Sequence, residues 1–197
     1  MEFENLDILK AKERGDEAQF FRRWDEELLR KLREHAKLEE MTRALGQKLA
    51  VEDPGLLARA VAQGVSPETG PAFLLAPLVQ IAWAEGKVTE AEREVILAIA
   101  SERGIVPGTP SHARLHEWLE HRPSDLLFET SEACLRLGLG VLPPAERAER
   151  IGQLVAMCRR VAAASGGSKL ARFLGLAHSV SPEEETVLAA ITARLAP

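Results

Sequence analysis

Leu74–Ile105 reads LLAPLVQIAWAEGKVTEAEREVILAIASERGI, two helical patterns joined by a tight turn. Thr89-Glu90-Ala91-Glu92 places a hydroxyl at a helix start and a carboxylate three residues on, the arrangement of a capping box. Val88, Val95, Ile96 and Ile99 then recur at helical spacing, and Gly104 ends the run. Upstream, Ser66-Pro67-Glu68 is a start signal for a helix that carries Phe73, Leu74, Leu78, Ile81 and Ala82 inward and stops near Glu85-Gly86. Pro71 and Pro77 lie inside that span and predict a break or kink. Glycine at 86 accepts the left-handed conformation that reverses the chain.

The same punctuation extends outward. Asp53-Pro54 starts a short helix that Gly64 stops. Thr109-Pro110 opens a helix with Leu115, Trp118 and Leu119, and Ser124 opens another with Leu127, Cys134, Leu135 and Leu137, closed by Gly138 and Gly140. Pro143-Pro144 precedes a long helix through Ile151, Leu154, Val155 and Val161. A linker, Gly166-Gly167-Ser168, leads to a short helix over 169–178, and Ser181-Pro182-Glu183-Glu184 forms a second capping box. Ala and Leu dominate the hydrophobic 46% and Tyr is absent, a bias toward helix and away from strand. The expected fold is all-α.

The first segment, from about Asp16 to Ala50, is dense in charge. Phe21, Trp24, Leu28 and Leu32 fall three to four apart and make one helical face, while Arg23, Glu26, Glu27, Arg30 and Glu34 make the other. Glu26 with Arg30 and Glu27 with Lys31 are favourable pairs four apart. This amphipathic helix is expected to lie on the body or on a partner, with Phe20, Phe21, Trp24 and Leu28 protected from solvent. The expected organisation is a charged helical segment over 1–52 and a helical domain over 53–197.

Two stretches are alike: KVTEAEREVILAIA from Lys87 and SVSPEEETVLAAIT from Ser179. At a constant offset Val88 answers Val180, Thr89 answers Ser181, Glu92 answers Glu184, Val95 answers Val187 and Ile99 answers Ile191. A structural repeat here implies two stacked helical hairpins, each burying the face of the other.

Leu74–Ile105 resembles the TerB-like (tellurite-resistance) helical family. Gly86, Val88 and Glu92 match that family's glycine, turn hydrophobe and helix-opening glutamate. Glu85 stands where the family usually has Asp, and Ala177 and His178 stand where a repeat of Glu85-Gly86 would fall. The resemblance implies a helical bundle of two similar halves, a divalent-cation site of acidic residues, and a bacterial stress or envelope-linked setting. It implies an interaction module rather than an enzyme.

Candidate chemistry is sparse. Glu85, Glu90, Glu92 and Glu94 surround one turn, and hard cations such as calcium or magnesium want converging oxygens. Glu85 and Glu92 are the expected pair, approaching across Gly86, with Lys87 and Arg93 as the basic alternative to an ion. Glu92 is equally explained as a capping-box acid. His112, His116 and Glu120 are spaced four apart, and two histidines at that spacing can share zinc. Ala113 stands where HExxH has its glutamate, so the alternative is a polar flank beside Leu115, Trp118 and Leu119. No GxSxG is present, and Gly166-Gly167-Ser168-Lys169 has the end of a phosphate loop in the wrong order. Trp24, Trp83 and Trp118 read as core or interface anchors.

Net charge is −5 with acids and bases interleaved, and no basic stripe suits a phosphate backbone, so nucleic acid is not an expected partner. Cys134 and Cys158 are not a CxxC pair and read as buried thiols in a reducing compartment. No signal peptide and no membrane span are visible. The expectation is a cytoplasmic, non-catalytic helical interaction module with a protein partner or a second copy of itself, and with no cofactor beyond a calcium or magnesium ion. The rival is a divalent-metal protein using the acidic turn for sensing or chemistry.

Overall fold

In the computed structural model, residues 2–165 and 181–195 are described, with side chains over 22–164 and 181–195. The described elements are α1 (Glu2–Leu49), α2 (Pro54–Ala62), α3 (Gly70–Phe73), α4 (Ala76–Ala82), α5 (Glu90–Glu102), α6 (Pro110–Glu120), α7 (Asp125–Gly140), α8 (Pro144–Ser165) and α9 (Pro182–Leu195). No strand occurs among them, and the protein is all-α. No described helix is long and apolar enough to cross a membrane. The predicted helix over 169–178 lies outside the described residues.

Two compact units divide the chain, Met1–Glu40 and Met41–Pro197. The division falls within α1, whose last turns carry core residues. Leu45 and Leu49 are buried in the larger unit. The helix itself begins at Glu2, well before Asp16.

Within the larger unit, α4 is the hub. It packs on α5, α7, α8 and α9, while α2 packs on α7, α3 on α6, α5 on α8, and α9 on α7 and α8. Ala76, Pro77, Leu78, Val79, Ile81 and Ala82 are all buried. Gln80 alone of its seven residues is polar and only half-buried, and a helix so nearly apolar all round must be enclosed.

The proline expectation resolves into a clean break. Ser66 and Thr69 close a turn on each other, with Thr69 Oγ1 accepting from Ser66 N at 2.8 Å. The helix therefore opens at Gly70 and not at Ser66-Pro67. It breaks again after Phe73, before α4. Pro77 has no N–H for the carbonyl four residues back, and its ring would crowd that group. That carbonyl belongs to Phe73, and the buried Ser131 hydroxyl donates to it at 2.6 Å.

Gly138 does not end α7 as expected, since the helix runs on to Gly140. Its role is close approach: a Cβ there would sit 3.3 Å from the Leu49 carbonyl oxygen. Cys134 and Cys158 are free and buried. Burial pushes their thiols up to about 11 and about 12, so both stay protonated and unreactive at neutral pH.

Ser131→Ala strands the Phe73 carbonyl in an apolar site. The expected cost is about 1–3 kcal/mol in urea unfolding. A change below about 0.5 kcal/mol, the range of ordinary surface substitutions, would show that this carbonyl needs no donor from α7.

Candidate functional site: the acidic turn and the exposed helix

The turn between α4 and α5 is built by local hydrogen bonds. Gly86 N donates to the Trp83 carbonyl at 2.9 Å, and Gly86 takes φ +81°, where a side chain would be strained. Thr89 is the N-cap of α5. Glu92 N donates to Thr89 Oγ1 at 3.3 Å, while Thr89 N and Thr89 Oγ1 each donate to Glu92 Oε2 at 2.7 Å. The capping box is complete, and Val88 packs against the core beside it.

Glu92 is only 2% exposed. Burial raises its carboxyl above the ordinary range. The Thr89 hydrogen bonds oppose that shift, and negative charge at Glu184 and Glu85 adds to it. Of these two acids, Glu184 acts more strongly on Glu92. The expected partner Glu85 is exposed and exerts the weaker repulsion. Glu184 is itself fully buried, and its Oε2 accepts from Ser181 N at 2.8 Å while its own N–H donates to Ser181 Oγ at 3.2 Å. The second capping box therefore exists, and the charge of its glutamate is felt at Glu92. The constant offset between the two stretches already paired Glu92 with Glu184 along the sequence. That one acts on the other across the tertiary structure required the fold.

The remaining acids of the turn do not converge on Glu92. Glu90 and Glu94 are exposed. Arg93 pairs with Glu90 at 3.6 Å and donates to the Leu119 carbonyl at 3.3 Å, so it offsets one acid of the turn and ties α5 to the end of α6. Among the described residues, no three His, Cys, Asp or Glu side chains are grouped to hold a metal ion.

The smaller unit presents a different feature. Trp24 is 62% exposed, Leu28 48% and Leu32 57%, with Leu29 and Leu38 also exposed. Among the described residues of this unit nothing buries Trp24 or Leu28, which were expected to be protected on the body or on a partner. Phe20 and Phe21 side chains lie outside the described residues. The opposite face is laced together: Arg30 bonds Glu27 at 2.6 Å and Glu34 at 2.8 Å, and Lys31 lies 3.4 Å from Glu27. Such pairs help a helix stand without a core. Trp83 and Trp118, by contrast, join the body, with Trp83 Nε1 donating to the Trp118 carbonyl at 2.8 Å.

Comparison with protein-family models, with curated proteins and with solved structures gives no match.

The sign of the Glu92 effect on stability follows from its raised carboxyl. Between its ordinary value of 4.5 and the higher native value, the folded chain holds a proton that the unfolded chain has released. The Glu92 contribution is full below 4.5 and is lost as pH rises through the native value. Glu92→Gln keeps an acceptor for the Thr89 cap and removes the charge. The variant should melt with the parent near pH 4 and above it at pH 7. Identical melting curves at both pH values would show that Glu92 ionises without penalty.

Proposed function

We propose that the chain is a non-catalytic helical interaction module of the TerB-like kind, engaged in a bacterial stress or envelope-linked response, whose partner is another protein. One observation carries this reading: the row of exposed apolar side chains, Trp24, Leu28, Leu29 and Leu32, on the first helix. An amphipathic helix presenting apolar residues at helical spacing is a common mode of protein recognition, and contiguous exposed apolar surface marks interaction sites. The turn supports the module reading in a second way. Its best-placed acid, Glu92, is occupied by a helix cap, an architectural task.

The rival reading is a calcium- or magnesium-binding protein using Glu85 and Glu92. It is favoured by the buried Glu92 carboxylate, repelled by Glu184 and Glu85, since a cation would relieve that repulsion. The ligand set does not fit well: Glu92 Oε2 is already taken by two donors from Thr89, and hard cations want six or more oxygens.

The test places a photo-crosslinking residue in living cells at Leu32 or, separately, at Arg30 on the charged face. Leu32 should give a discrete protein adduct that Trp24→Ala removes, while Arg30 gives none. Trp24→Ala should leave the melting of the purified full chain within about 0.5 kcal/mol, as for an exposed side chain. Equal adducts from both faces would end the module reading. A melting temperature raised by calcium or magnesium, and made indifferent to them by Glu85→Gln, would favour the metal reading.

A further inference from the structure

The outer face of α6 carries chemistry that neither reading uses. His112 and His116 lie one turn apart, with ring centres 5.9 Å apart and planes tilted by 37°. His116 Nδ1 is 3.4 Å from Glu120 Oε1, and both side chains are about half exposed, at 42% and 52%. His112 is half-buried.

We propose that His112 and His116 form a two-histidine chelate for a borderline divalent transition ion, zinc or copper, with Glu120 as a positioning residue. The distances fit. An imidazole nitrogen binds zinc at about 2.0–2.1 Å, which puts the ion about 3.2 Å from the ring centre. Two rings on one ion, at angles of about 110–130°, then have centres about 5.2–5.8 Å apart. The observed spacing lies just beyond that range, so small side-chain rotations close the site.

The tautomer fits as well. Nδ1 of His116 faces the Glu120 carboxylate, and a proton held on that side leaves Nε2 with a free lone pair, the arrangement that orients a ligating histidine. Water completes the coordination. Imidazole ligands suit zinc and copper, while calcium and magnesium prefer oxygen. This site therefore selects a different class of ion from the acidic turn.

The helix holds the pair in place. Thr109 caps α6, with His112 N donating to its hydroxyl at 3.2 Å. Leu115, Trp118 and Leu119 anchor the inner face, Ser111 donates to the Glu68 carbonyl at 2.7 Å, and Trp83 and Arg93 bond the carbonyls of the last turn. The backbone positions of both histidines are thus set before any ion arrives, which lowers the ordering cost of binding.

Titration of the full chain with zinc chloride, followed by calorimetry, tests the site. One ion should bind per chain. His112→Gln with His116→Gln should abolish that heat, and Glu120→Gln should weaken the affinity about 10-fold or more with no change in the metal-free melting curve. The copper form of the unaltered chain should show two imidazole nitrogens by electron paramagnetic resonance, a readout independent of any variant. Absence of zinc heat, equal binding by the double variant, or a copper spectrum with fewer than two nitrogens would overturn the proposal. Unchanged affinity in Glu120→Gln would overturn the role of Glu120.

Discussion

The larger unit is centred on the near-complete enclosure of α4. Seven residues cannot make a stable helix alone, because nucleation is costly and few hydrogen bonds repay it. Tertiary contact must supply the stability, and α5, α7, α8 and α9 provide it. Enclosure also removes water as a hydrogen-bond partner, so each backbone group at the ends of α4 needs another. Ser131 serves the carbonyl that Pro77 displaces. The Trp83 indole, just past the helix, spends its N–H on α6. The proline that breaks the α3–α4 segment and the serine that repairs it are one device, although they lie far apart in the chain.

The acids at the helix starts show how the same residues support two different accounts. A glutamate at the third position of a capping box serves the backbone, and its neighbours at a helix N-terminus are favoured by the helix dipole. Both statements hold for Glu92 and for Glu184 without any ligand. The fold adds burial, which together with the negative charge of Glu184 and Glu85 makes Glu92 a carboxyl that resists ionising. Protonation of Glu92 is therefore coupled to folding, whatever its further use.

The first helix is governed by opposite physics. Arg30, Glu27, Glu34 and Lys31 sustain it through contacts along its own surface. Its apolar side chains remain in water. Amphipathic spacing reveals that a face exists, but spacing is silent about what covers it. The periodicity of Trp24, Leu28 and Leu32 is the same whether the face meets the body or another molecule.

Helix class, most caps and the break within residues 66–85 were readable from the sequence, because each depends on groups three or four residues apart. Thr89 with Glu92, Ser181 with Glu184, Asp53 with Leu56, and the ring of Pro77 all act at that range. The spacing of His112, His116 and Glu120 was readable for the same reason. The tertiary structure alone decided that Gly138 is a contact and not a terminator, that Ser131 reaches Phe73, and that Glu184 rather than Glu85 weighs more on Glu92. Each of these depends on which helices become neighbours. That choice is made by the summed burial of many side chains, and no local pattern encodes it.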